Sequence, residues 1–128
     1  MHDGQEHTKS FYHDQSIVTS YTSLLTGQPS NLFADCLTNC TVLVGNYDKI
    51  RKLNDKYLSL QIVARKVAER EFIKKDTREY QFLSMDAKER YKEFLKEHGE
   101  IQELIAHKYI ASYLGIRSET LSRIKSQC

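Results

Sequence analysis

His107 to Ser126 reads HKYIASYLGIRSETLSRIKS, and its pattern of small, apolar and polar residues is that of two short helices joined at a glycine. Ile110, Leu114, Ile116, Leu121 and Ile124 recur at helical spacing and make a small core between the two. Ala111 is small where the second helix crosses the first. Gly115 falls in the turn, where a positive φ is needed and glycine takes it without strain. Ser118 suits the N-cap of the second helix. Arg117, Glu119, Thr120, Ser122, Arg123 and Lys125 are the polar remainder. In a helix-turn-helix of this kind the second helix enters the DNA major groove, with its N-terminal residues at the base edges. Glu119 then accepts from cytosine N4, and Arg123, one turn later, pairs with guanine O6 and N7. Thr120, Ser122 and Lys125 are candidates for phosphate contacts, with His107 and Lys108 at the start of the first helix near the backbone it crosses. Structural bundles and protein contacts use the same two-helix pattern. The lack of any acidic residue after Glu119 favours nucleic acid over both.

Upstream, the text is helical from Tyr47 onward. Leu53, Tyr57, Leu60, Ala64 and Val67 alternate spacings of four and three, one stripe of a helix. Ile62, Val63, Ala68 and Phe72 form a second stripe. A helix apolar on two sides must be covered twice. A β layer is expected on one side and a second copy of the same helix on the other, so Leu53, Tyr57, Leu60, Ala64 and Val67 are the candidate dimerisation residues of a homodimer. A shorter helix follows. Ser84 or Asp86 caps it, and Asp86 with Glu89 resembles a capping box. Ala87, Tyr91, Phe94 and Leu95 form its buried face, and His98-Gly99 ends it, with Gly99 suited to a left-handed C′ position.

The first 46 residues read as β. Asp3-Gly4 is a tight-turn signal, and Lys9–His13 is a short aromatic run. Leu32-Phe33-Ala34 and Thr41-Val42-Leu43-Val44 are rich in β-branched and aromatic residues. Gly27-Gln28-Pro29-Ser30 is a loop, and Gly45-Asn46 breaks the pattern. The expected fold class is α+β: a partial antiparallel β-roll over residues 1–46, a short helix and a long dimerisation helix over 47–83, and a C-terminal helix-turn-helix domain over 84–128 without a wing.

The chain has 128 residues with a net charge of +2, 40% hydrophobic and 28% charged residues, which fits an ordered globular protein. The charge is uneven: residues 1–64 carry a net −1 and residues 65–128 a net +3, so a polyanion would meet the second half. No apolar run approaches the ~18 residues of a membrane span, and the N-terminus lacks the blocks of a signal peptide. The expected compartment is the cytoplasm, with no membrane partner. Three cysteines at irregular spacing argue against a disulfide framework.

IASYLGIRSETLSRIK resembles the DNA-reading segment of the Crp/Fnr transcription regulators. Asp86–Leu95, DAKERYKEFL, resembles the AxxRYxxFL motif of one branch, and the likeness runs over essentially the whole chain. Tyr21-Thr22-Ser23-Leu24-Leu25 through Pro29-Ser30 is similar to the second half of that family's cyclic-nucleotide-binding β-roll, and Asp48 to about Phe82 to its short and long helices. The resemblance implies a homodimeric, sequence-specific transcription regulator acting on palindromic double-stranded DNA, with RNA polymerase a further candidate partner. The family's recognition-helix Glu and Arg carry over to Glu119 and Arg123. Ser118 stands where cyclic-AMP-responsive members have an Arg, so Ser118, Glu119 and Arg123 form the base-reading set, with a different half-site. Roughly half of the β-roll is expected to be absent, judged from typical domain size. Ser20-Tyr21 and Pro29-Ser30 replace the Gly-Glu and Arg-Ser pairs of the phosphate cassette, so no cyclic nucleotide and no other cofactor is expected.

Cys36-x3-Cys40 has no further ligand nearby for a metal, and buried strand cysteines are the expected reading. Cys128 reads as a fraying terminal thiol. His2, His7 and His13 read as surface histidines, with His7 and His13 able to share a strand face. No nucleophile motif, P-loop or dinucleotide fingerprint is present, so an enzyme is not expected. The alternative function is that of a truncated interaction protein, which pairs with full-length family members through the long helix without sensing a ligand.

Overall fold

Asp86 starts the part of the chain that holds the core. Its Oδ1 accepts from the Glu89 N–H at 2.8 Å, and Glu89 Oε2 accepts from the Asp86 N–H at 2.9 Å. This reciprocal capping box satisfies two donors that a helix end leaves orphaned. The computed structural model describes residues 6–127; the Asp3-Gly4 turn, His2 and Cys128 lie outside the described residues. The helices are α1 (Tyr21–Thr26), α2 (Tyr47–Asn54), α3 (Leu58–Ser84), α4 (Ala87–His98), α5 (His107–Leu114) and α6 (Ser118–Gln127), with a 3-10 turn at Gly99–Leu104 between α4 and α5. The chain divides into two units: the residues up to Val18 together with those from Ser84 onward, and Thr19–Leu83.

The first unit contains the buried core. Tyr91 and Phe94 of α4 pack with Ile105, with Ile110, Ala111, Tyr113 and Leu114 of α5, and with Leu121 and Ile124 of α6. Ala87, Leu95 and Ile116 lie at its edge. Each large side chain taken fully out of water here contributes about 1.5–3 kcal/mol. Gly99 departs from its expected left-handed cap. Its φ is −57°, and the chain runs on into the 3-10 turn, so α4 ends by tightening rather than by reversing. His98 is buried with the core. The segment before Val18 belongs to the same unit: Phe11 lies with its ring centroid 5.1 Å from Tyr113 and 6.1 Å from Phe94.

The described residues before α2 correct the expected fold class. Among the described residues there is no β-strand, so the partial antiparallel β-roll over residues 1–46 is overturned. Lys9–His13, Leu32–Ala34 and Thr41–Val44 are irregular, and Tyr21–Thr26 is helix, ended by Gly27 at φ +70°. β-branched residues favour a pleated, half-buried surface. That surface needs a partner strand and a covering layer, and neither is formed: Leu43 is fully exposed and Val44 nearly so. With the strands goes the expected burial of Cys36 and Cys40, both of which are exposed, and the strand face that His7 and His13 were to share. Cys40 Sγ donates instead to Thr38 O at 3.3 Å.

The helical reading of residues 47–83 meets one interruption. Asn46 caps α2, its Oδ1 accepting from the Lys49 N–H at 3.1 Å. The helix stops at Asn54, where Asn and Asp are poor helix formers. Gln61 Nε2 donates to Asn54 O at 2.8 Å, satisfying a carbonyl the break leaves open. α3 then runs 27 residues with none of them buried. Arg65–Glu69 and Lys74–Glu71 pair along its surface. No described helix is long and apolar enough to cross a membrane.

Candidate nucleic-acid interface

The turn between α5 and α6 is built from its backbone. Gly115 adopts φ +67°, a conformation that costs other residues roughly 1–2 kcal/mol. Its N–H donates to Ser112 O at 3.1 Å, and the Ile116 N–H donates to Ala111 O at 3.0 Å. These two bonds are the Schellman closure of a helix C-terminus, and Ile116 folds back onto the core. The carbonyl of Leu114 is taken from outside the motif. Arg90 Nε donates to it at 3.2 Å while Arg90 Nη1 donates to Met85 O at 2.6 Å. One guanidinium thus ties the start of α4 to the end of α5. Its fixed fork of donors allows both bonds at once.

α6 begins at Ser118 itself. The Leu121 N–H donates to Arg117 O at 3.1 Å, which moves the cap position from Ser118 to Arg117. Leu121 and Ile124 are buried, so the faces of α6 are assigned. Ser118, Glu119, Ser122, Arg123 and Lys125 are exposed, and Thr120 is half-buried at the edge. Glu119 and Arg123 are one turn apart and form no ion pair with each other among the described residues. Glu119 lies in the first turn and Lys125 in the last, each at the helix end whose partial charge it complements. On α5, His107 is half-buried and Lys108 exposed. Lys108 Nζ sits 4.8 Å from the Tyr109 ring centroid. Lys108, Tyr109 and Ser112 share a shallow recess with Glu6.

The structure therefore brings Ser118, Glu119, Ser122, Arg123 and Lys125 onto the outer side of one helix. The candidate dimerisation residues are distributed differently from a single stripe. Leu53 is on α2, Tyr57 is in the break, and Leu60, Ala64 and Val67 are on α3. Leu53, Tyr57 and Leu60 are exposed and Val67 is half-buried. Among the described residues no group of His, Cys, Asp and Glu could hold a metal ion. The Cys36 thiol is pushed above its ordinary pKa, by its hydrogen bond to Cys40 first and then by the Cys40 charge, with desolvation and Asp35 adding to it.

Sequence reasoning did not find the tie from Arg90 to Leu114, nor the meeting of Phe11 with His98 and Tyr113. Arg90 reads only as part of the DAKERYKEFL motif, and nothing there points to Leu114. The buried spacing of Tyr91, Phe94 and His98 on α4, at three and four residues, was the available signal for His98. Comparison with family models, curated proteins and solved structures finds no match to this chain.

Proposed function

We propose that this chain is a sequence-specific, DNA-binding transcription regulator of the Crp/Fnr type. It acts as a homodimer on palindromic sites and does not respond to cyclic nucleotides. The observation that carries this reading is the helix-turn-helix closed at Gly115, with Leu121 and Ile124 of α6 buried and Glu119 and Arg123 exposed one turn apart. A recognition helix held by its own core presents those two side chains to base edges at fixed separation. Lys125, Ser122 and Thr120, with His107 and Lys108 on the preceding helix, neutralise or bond the phosphates on either side.

A second reading is favoured by the exposed apolar residues of the other unit, Leu53, Tyr57, Leu60 and Ile62 among them. It is a protein that works by pairing with other protein chains through that surface. Random-sequence selection followed by titration at two salt concentrations separates the two. The regulator enriches a palindrome with half-sites one helical turn, ~34–36 Å, apart, and its affinity falls steeply with salt. A purified protein that enriches no sequence removes the DNA-reading assignment and leaves the pairing protein.

A further inference from the structure

The segment Glu6–His13 occupies the helix-turn-helix unit in a way that nothing in the DNA-reading role requires. Three contacts hold it. The Thr8 N–H donates to Ser112 Oγ on α5 at 2.9 Å. The half-buried Phe11 ring meets Tyr113, His98 and Phe94, with centroids 5.1, 5.7 and 6.1 Å away. The His13 ring closes on His98 at 6.1 Å. Phe11 is thus an aromatic anchor, and the residues before it are laid along the outer edge of α5. There Glu6 lines the same recess as Lys108, Tyr109 and Ser112. Glu6 and Lys108 form no ion pair among the described residues, but a carboxylate at that recess carries the charge of the phosphate that Lys108 would otherwise meet.

We infer that residues 6–13 are an autoinhibitory strap. Anchored by Phe11, they cover the α5 edge and set Glu6 where a DNA phosphate would bind, so that DNA and the strap compete. This rests on the DNA-reading function proposed above. The strap holds part of the population closed, and the apparent affinity for DNA is reduced by the fraction that is open. The anchor is modest in size, two rings and one backbone hydrogen bond, which suits a contact that a ligand as highly charged as DNA displaces.

The test uses the full chain, with the duplex enriched by random-sequence selection as the probe. Amide hydrogen exchange reads the strap, and fluorescence anisotropy reads DNA affinity. Thr8 is expected to be protected in the free protein and to lose protection when duplex is added. Phe11→Ala is expected to remove the protection and tighten DNA binding roughly tenfold. Because Phe11 touches the core, Thr8→Pro serves as the second variant. It deletes the N–H at the rim and leaves the core atoms in place, and it is expected to tighten binding in the same direction with the helical circular dichroism unchanged. A Thr8 amide that exchanges like a free peptide in the wild-type protein overturns the strap. Two variants that bind the enriched duplex no more tightly than wild type overturn the masking. If no duplex is enriched while Thr8 stays protected, the DNA-reading function has failed, and the masking falls with it.

Discussion

Arg123 and Lys125 lie on the same short helix, two residues apart, and their chemistry gives them opposite signatures. On the proposed DNA-reading function Arg123 pairs bidentately with a guanine edge, so Arg123→Ala is expected to cost about 1–3 kcal/mol and to relax preference at one base pair in each half-site. Lys125→Ala is expected to weaken all sequences alike and to flatten the dependence of affinity on salt, because a phosphate carries no sequence information. Titration of the variants on matched and mismatched duplexes reads both. In the other unit, the Cys36 thiol is held above its ordinary pKa by its Cys40 neighbour. A raised pKa leaves less thiolate at a given pH, and thiolate is the nucleophile. Cys40→Ala removes the two largest causes and is expected to speed alkylation of Cys36 at pH 8, followed by mass spectrometry.

Among the elements, α4 shows what a local signal can establish. The Asp86–Glu89 box forms as the spacing predicts, and Asp86→Ala is expected to destabilise the unit by about 0.5–2 kcal/mol in a denaturant titration. The core of α5 and α6 was legible for the same reason. Ala111, Gly115, Leu121 and Ile124 act on neighbours within one or two turns, so their spacing contains the geometry. The contacts that were not legible are long-range. Arg90 reaches Leu114 across 24 positions and Thr8 reaches Ser112 across 104; no periodicity registers either one. The strands failed for a related reason. Val42, Leu43 and Val44 have β composition, but a strand exists only when another lies beside it, and the composition of one segment does not provide that partner. The α2–α3 break was hidden because Leu53, Tyr57 and Leu60 keep helical spacing straight through it. Asn54-Asp55 was the available cue.

For the whole molecule, the apolar surface between Tyr47 and Phe82 is the feature that calls for a second copy. With Leu53 and Leu60 exposed, sedimentation at tens of micromolar is expected to show a dimer. The double variant Leu53→Glu, Leu60→Glu is expected to sediment as a monomer, since like charges would face one another across the pairing. Calorimetry is expected to detect no cyclic AMP binding, because Tyr21 lies in a helix and the described residues before α2 form no β-roll to hold the nucleotide.

The 104-residue separation between Thr8 and Ser112 also has a consequence for synthesis. A ribosome delivers Phe11 well before it delivers Tyr113, so a nascent chain carries its anchor with no dock. Helices such as α3 close on their own neighbours and can form as they emerge. The contact of Thr8 with Ser112 has to wait for a residue 104 positions later. The anchor is therefore made before its dock, and the contact can set only after Tyr113 has emerged.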